Sequence, residues 1–260
     1  IHHRLEDAEV KALIFWDGYR EKVKKAVRGL PHCDLLLALT DEAEEDEIRL
    51  NYLIEINEPD EEIVETEADD TALIVYTAGT TARPIGAELS HKNIRSNITA
   101  IRNFLKITAQ DSVLGPVPFY HPLGHTVTMC TFLSAGCKVS MMTTMDGQET
   151  FDMIKKTGPA YLVAVPSMIR DMAEVEGFTA KDVNSLKYII VSGEALEEDV
   201  KDSFEYTYGV PVLEGYGLTE ASPMVSLNRP TEKREAGSIG LPLPGVEMKI
   251  IDEEGKLVRS

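Results

Sequence analysis

Thr77, Thr80 and Thr81, with Ala78 and Gly79 between them and Arg83 and Gly86 just beyond, form a short polar loop directly after the apolar run Leu73–Tyr76. Hydroxyls donate and accept, a guanidinium is a fixed cation, and glycine lets the backbone take positive φ or pass close to a ligand. Such a set suits a polyphosphate. It also suits an ordinary surface turn, and the residues alone leave both readings open. A Walker loop requires G-x-x-x-x-G-K-[ST], but here Thr80 and Ala87 follow Gly79 and Gly86. Three more clusters combine hydroxyls, carboxylates, aromatics and a histidine: Phe119-Tyr120-His121, Ser192-Gly193-Glu194, and Glu214-Gly215-Tyr216-Gly217-Leu218-Thr219-Glu220. Singly, the first reads equally as an aromatic turn packed on the core and the second as a helix N-terminus with an acid in its first turn. Loops that converge on one place are what a ligand site requires.

Each cluster follows an apolar run that must position it. Leu73–Tyr76 is short, apolar and stopped by turn formers, which predicts a buried strand. Ser90 is a good N-cap, and Ile94, Ile98, Ile101 and Leu105 recur at helical spacing behind it. Strand, phosphate-type loop and helix are therefore expected in that order. Upstream, Ala12–Trp16 and Leu35–Leu39 bracket a charged helical segment, Tyr19–Val27, which is β-α-β spacing. Downstream, the apolar runs Val113–Phe119, Val139–Met142, Tyr161–Pro166, Tyr188–Val191 and Val212–Leu213 alternate with helical patterns at Gly124–Ala135, Gln148–Lys156, Ser167–Glu174 and Leu196–Tyr208.

Such alternation predicts an α/β fold of two mostly parallel sheets flanked by helices, layered α/β/α/β/α, with ligands at the carboxyl ends of strands. From Gly237 the tail changes to Gly and Pro turns with alternation at Val246–Ile250, the expected start of a small β-barrel-like subdomain. The expected subdomains are residues 1–110, ending in the phosphate-loop unit, 111–232, and a partial β subdomain at 233–260.

Composition narrows the functional classes. The chain has 260 residues, is 43% hydrophobic and carries a formal charge of −18. No apolar run approaches the roughly 20 residues that span a bilayer, and no secretory signal is visible. The charge is concentrated: residues 41–70 hold 15 acids and one base, Arg49. That stretch reads as a solvated linker or helix face, or more sharply as an acidic partner-binding arm. Acidity on this scale argues against nucleic-acid backbones and anionic membranes as partners. Cys33, Cys130 and Cys137 are odd in number and lack C-x-x-C spacing, so buried thiols in a reducing cytoplasm are expected rather than disulfides or a zinc site.

YTAGTTARPIG, residues 76–86, resembles the YTSGTTGKPKG signature of the adenylate-forming (AMP-binding) enzymes, which include the acyl-CoA synthetases, luciferases and peptide-synthetase adenylation domains. It departs at Ala82, where the family pattern has Gly, and at Ile85, where it has Lys. The other clusters resemble family segments in the same order from Asp70 to Asp252. Phe119-Tyr120-His121 is similar to the aromatic-His segment beside the acyl pocket and Ser192-Gly193-Glu194 to the adenine-side loop. Gly215–Glu220 is similar to the Y-G-x-T-E motif, and Gly237–Pro242 continues in register.

The resemblance implies ATP-dependent activation of a carboxylic acid to acyl-AMP, with Mg²⁺, and transfer of the acyl group to coenzyme A. An anionic carboxylate attacking an anionic α-phosphate needs cations and donors around it. Glu220 is then implied as the Mg²⁺ ligand, Thr219 as a donor to the α-phosphate, and Thr77, Thr80 and Thr81 as holders of the β- and γ-phosphates. Ala78, Gly79 and Arg83 belong to the same loop. Tyr216 is implied to stack on adenine, with Ser192, Gly193, Glu194, Glu214, Gly215 and Gly217 around the nucleotide, and His121 to border the substrate carboxylate. Amino-acid-activating relatives carry an Asp shortly after the aromatic segment. Pro122–Val127 has no acid, which favours an apolar acyl chain without an amine, a fatty acid foremost, with an aromatic acid left open. In the family a ribose-binding Asp, a hinge and a C-terminal domain with a catalytic Lys lie beyond the point where this sequence stops, so the isolated chain is expected to be inactive.

Overall fold

The structure, a computed structural model, describes residues 1–40, 42–60, 62–77, 83–230, 234 and 237–258. The chain forms two compact units, Ile1–Glu88 and Leu89–Ser260.

In the first unit α1 (His2–Asp7) precedes β1 (Ala12–Phe15), α2 (Arg20–Val27) and β2 (Leu35–Ala38). β1 and β2 pair in parallel from Ala12↔Leu35 to Phe15↔Ala38, as the β-α-β spacing predicts. A small core of Phe15, Val23, Cys33, Leu36 and Ala38 joins them. The described residues of the acidic stretch are nearly all exposed, as a solvated linker or helix face would be, but its start is held by ion pairs. Arg20 donates through Nε to the buried Glu47 carboxylate at 3.0 Å, and Lys24 Nζ lies 2.6 Å from Asp46 and 2.5 Å from Glu44. Cations on one face of α2 thus gather the start of the stretch and deliver it to β3 (Ile48–Arg49), which adds in parallel to β2, and α3 (Leu50–Ile56).

β4 (Thr71–Thr77) pairs with β5 (Ile85–Ser90) in a two-stranded sheet. Two expectations change here. β4 is a strand, but it is not buried: Ile74 is 41% exposed and none of its residues is fully buried, since among the described residues β5 is its one paired strand. In addition, the loop leads not to a helix but to β5, whose Ile85, Ala87 and Leu89 alternate at the strand period. The helix follows directly. Ser90 Oγ accepts the Asn93 N–H at 3.2 Å, the Asn93 side chain accepts the Ser90 N–H at 2.9 Å, and this reciprocal cap starts α4 (His91–Leu105).

The second unit is built on a seven-stranded sheet in the order β12-β11-β10-β9-β8-β6-β7. Its parallel part comprises β6 (Ser112–Gly115), β7 (Lys138–Met141), β8 (Tyr161–Ala164), β9 (Tyr188–Val191) and β10 (Val212–Gly217). β11 (Met224–Leu227) and β12 (Leu241–Pro242) extend it antiparallel. Helices α4, α5 (Thr131–Ser134), α6 (Gly147–Thr157), α7 (Pro166–Glu174) and α8 (Glu198–Tyr208) supply the remaining core.

Local chemistry sets their ends. Asp146 caps α6 by accepting the Glu149 N–H, Pro166 opens α7, and Gly158 and Gly209 close α6 and α8 in the left-handed conformation. Phe132, Phe151, Leu162, Met168, Ile189 and Phe204 are fully buried among these elements. The segment expected to be a helix at Gly124–Ala135 is a π-helix over Leu123–Cys130 that narrows into α5. In the tail, β12 joins the sheet edge and Ile251 bridges Leu257 across the turn at Asp252–Gly255; among the described residues Val246–Ile250 forms no strand. Cys33, Cys130 and Cys137 are free thiols, and Cys130 is half-buried rather than buried. No helix among the described residues is long and apolar enough to cross a membrane.

Candidate functional site

Parallel strands present their carboxyl ends on one edge of the sheet, so the loops after β6, β9 and β10 emerge together. They enclose a cleft of about 140 Å³ lined by His121, Pro122, Leu123, Ser192, Gly193, Gly217, Leu218, Thr219, Pro223 and Met224. Five of the residues singled out in the sequence, His121, Ser192, Gly193, Gly217 and Thr219, meet here from three separate segments. Leu123, Leu218, Pro223 and Met224 add an apolar wall that sequence reasoning did not assign. Among the described residues no Asp, Glu, Lys or Arg side chain lines the cleft.

His121 stands at the start of the π-helix. Its ring Nδ1 accepts the Leu123 backbone N–H at 3.2 Å, so one of the helix's unpaired amide donors is satisfied by the imidazole. An amide N–H can only donate, which leaves the proton of the neutral ring on Nε2. Partial burial lowers the pKa of this histidine below its ordinary value, and the accepted N–H acts in the same direction, since it requires Nδ1 unprotonated. The result is a neutral imidazole beside the cleft, with Nε2–H as a donor that has no partner among the described residues.

Ser192 and Gly193 follow β9. Ser192 is buried and its N–H donates to the Ala164 carbonyl of the neighbouring strand end. Gly193 sits at φ 111°, a conformation that side chains with a Cβ rarely adopt, so the turn out of β9 depends on glycine. Glu194 points outward, with a carboxylate oxygen 3.9 Å from Arg170.

Thr219 and Glu220 lie on the turn between β10 and β11. It is closed by Leu218 N–H donating to Pro223 O at 3.0 Å, and by Ala221 and Ser222 N–H groups donating to Leu218 and Thr219 carbonyls. The two strands approach so closely that a Cβ on Gly217 would meet Pro223 O at 2.3 Å. Thr219 is half-buried at the cleft, whereas Glu220 is exposed and, among the described residues, unpaired with any cation.

Other predicted residues stand apart from the lining. Tyr216 is 43% exposed on β10, and the Gly215 backbone packs against Met224 and Ser226 of β11. Glu214 is buried and its carboxylate is bound by Lys201 Nζ of α8 at 2.5 Å, while its carbonyl accepts the Asn228 N–H. Its side chain is thus committed to the sheet–helix interface. Ala78, Gly79, Thr80 and Thr81 lie outside the described residues. Thr77 ends β4 with its hydroxyl 3.5 Å from the Ile85 carbonyl, and Arg83 is exposed.

Asn97 is a further residue that sequence reasoning missed. This buried side chain on α4 donates to Met224 O at 2.6 Å and accepts Met224 N–H at 3.2 Å. Its one sequence signal is polarity in an apolar helix face, between Ile94 and Ile101.

A protein-family model described as AMP-binding enzyme matches residues 1–260. A long-chain-fatty-acid–CoA ligase of Bacillus subtilis is 33% identical over 187 residues, which is 71% of this chain and 33% of that ligase. The ATP-bound structure of MatB from Rhodopseudomonas palustris superimposes with a TM-score of 0.88 at 25% identity, covering 99% of this chain and 50% of that one. An anthranilate CoA ligase solved with anthranoyl-AMP gives a TM-score of 0.92 at 22% identity over 100% of this chain and 50% of its own, a likeness of fold. The chain therefore spans about a third to a half of the length of the proteins it matches.

Proposed function

The chain belongs to the AMP-binding enzyme family, and on that premise we propose that it forms the nucleotide- and acid-binding part of an AMP-forming acyl-CoA ligase acting on an apolar carboxylic acid, a fatty acid foremost. In the first half-reaction a carboxylate oxygen attacks the α-phosphorus of ATP, the bond to the β-phosphate oxygen breaks, and pyrophosphate leaves. In the second the coenzyme A thiolate attacks the acyl carbon and AMP leaves. The observation that carries this reading is the convergence of His121, Ser192, Gly193, Gly217 and Thr219 on one cleft at the carboxyl ends of β6, β9 and β10.

His121 Nε2–H is assigned a hydrogen bond to the substrate carboxylate, which would orient it without adding a charge that would hold it back from the phosphorus. Thr219 is assigned a hydrogen bond to an α-phosphate oxygen, and Thr77 and Arg83 are assigned phosphate oxygens by their chemistry. The apolar wall of Leu123, Leu218, Pro223 and Met224 favours a hydrocarbon next to the carboxylate and offers no partner for an ammonium. Glu220, an exposed hard oxygen donor that is unpaired among the described residues, fits a Mg²⁺ that takes one or two carboxylates and otherwise phosphate oxygens and water. Such an ion supplies charge neutralisation between the two anionic reactants.

A second reading, a catalytically silent relative that binds nucleotide or acyl ligand, is favoured by Ile85. This apolar residue is 60% exposed at the start of β5, where the family pattern has Lys. Acid-dependent exchange of labelled pyrophosphate into ATP, measured on the enzyme that contains this chain, separates the two. Exchange supports the ligase; nucleotide binding without exchange, across fatty and aromatic acids, would leave the silent relative.

A further inference from the structure

We infer that Asn97 is a positioning residue for the turn that presents Thr219 and Glu220, an inference that rests on the site assignment above. The primary amide of Asn97 meets the Met224 backbone as one peptide meets another across a ladder. Nδ2–H donates to the carbonyl at 2.6 Å and Oδ1 accepts the N–H at 3.2 Å, between residues 127 positions apart. Met224 needs such a partner. It is the first residue of β11, fully buried, and on the side away from β10 the register with β12 reaches only Ser226 and Leu227. Without Asn97 its N–H and carbonyl would be buried and unpaired, a state that folded proteins avoid.

Met224 is also where the turn is hinged. It pairs with Gly217 across the irregular end of the β10–β11 ladder, its predecessor Pro223 accepts the Leu218 N–H, and Pro223 and Met224 both line the cleft. The outgoing limb of Leu218–Ser222, the turn with Thr219 and Glu220 inside it, is therefore held next to a residue whose N–H and carbonyl are both bound by Asn97. Asn97 is not itself among the residues that line the cleft, and its hydrogen bonds to one of them, Met224, are the route by which it acts. Any displacement of Met224 moves the Thr219 hydroxyl relative to His121, which is fixed separately by the π-helix.

The test compares Asn97→Ala and the near-isosteric Asn97→Asp, which keeps the acceptor and loses the donor, with Phe151→Leu, a core change under α6 remote from the cleft. All are made in the enzyme that contains this chain and measured well below their melting temperatures. Hydrogen exchange over residues 217–225 is expected to rise in both Asn97 variants and to stay at the wild-type level in Phe151→Leu. The pyrophosphate-exchange rate at saturating acid is expected to fall roughly tenfold or more for Asn97→Ala, with a raised KM for Mg-ATP, and less for Asn97→Asp. The control is expected to lose melting temperature and keep both constants. Exchange in 217–225 that rises no more than in Phe151→Leu, or unaltered kinetic constants, would overturn the inference. If Asn97→Ala does not fold, Asn97→Asp decides on the same readouts. Absence of pyrophosphate exchange in the wild type would instead fault the proposed reaction, and hydrogen exchange alone would still decide the role of Asn97.

Discussion

β8 in the second unit lies between β6 and β9 with all four residues buried, whereas β4 in the first unit has β5 as its partner and buries none of its seven residues fully. Both are short apolar runs that end in turn-forming residues. The difference is the number of neighbours: β8 is covered by strands on both edges and by helices on the faces, and β4 is covered by one hairpin partner. The two regions differ in what they carry. The buried sheet fixes where the three loops of the cleft emerge, while the hairpin carries Thr77, half-buried, and Arg83, exposed. A strand fixed on both edges holds the loops that leave it in place, whereas a strand with a single hairpin partner is free to adjust.

Mutations can break or sharpen that contrast. The largest effect is expected in the sheet, where Leu162→Ala in β8 removes a fully buried side chain and should destabilise the second unit by about 2–5 kcal/mol in urea unfolding. Ile74→Ala in β4 should change stability by less than about 1 kcal/mol. Equal losses at the two positions would mean that β4 is covered as completely as β8.

Next in size is Glu220→Ala. The melting temperature without ligand should stay within error, because the carboxylate is exposed and, among the described residues, unpaired. The rise in melting temperature on adding Mg-ATP should vanish, corresponding to roughly 1.5–3 kcal/mol of lost affinity for one charged contact. A large drop in the stability of the unliganded protein would show that Glu220 serves the turn rather than the ligand.

In the hairpin, Ile85→Lys should raise the rate of pyrophosphate exchange by about tenfold, the equivalent of one charge-assisted contact at ~1.4 kcal/mol, with little change in stability. An unchanged rate would indicate that Arg83 already fills the need and would remove the observation behind the silent-relative reading.

The smallest effect concerns pH. His121 and His125 both have pKa values lowered by burial, so in the acid range the unfolded chain binds more protons than the folded one. Their contribution to stability is present above the unfolded value of about 6.5 and is lost as pH falls from there through the folded values. Melting temperatures taken between pH 7.5 and 5 should fall less steeply in His121→Gln than in the wild type. A steeper fall in the variant would contradict a neutral imidazole at the cleft.

Much of this molecule was legible in the residue order, and the parts that were share a physical scale. The β-α-β start, the Ser90 cap, the π/α segment after His121 as a helical element, and the runs that became β6 to β10 depend on contacts a few residues apart, which composition and periodicity encode directly. The motifs identified the family for the same reason, because each is contiguous. β5 was also encoded, in the alternation of Ile85, Ala87 and Leu89, but the expectation of a loop running straight into a helix hid it.

Tertiary structure alone decided the rest. How many strands flank β4 or β8 depends on pairings between distant segments, so two short apolar runs acquire different burial. Glu214 sits in a motif expected at the nucleotide, yet the pleat of β10 turns its carboxylate to Lys201 on α8 while neighbouring residues carry the turn to the cleft. The hold of Asn97 on Met224 spans 127 positions and uses an amide that looks in sequence like any polar residue on a helix. Local propensity fixes which way a short segment bends. Only the closing of the sheet, driven by burial of side chains from all its strands at once, fixes which side chains then face one another.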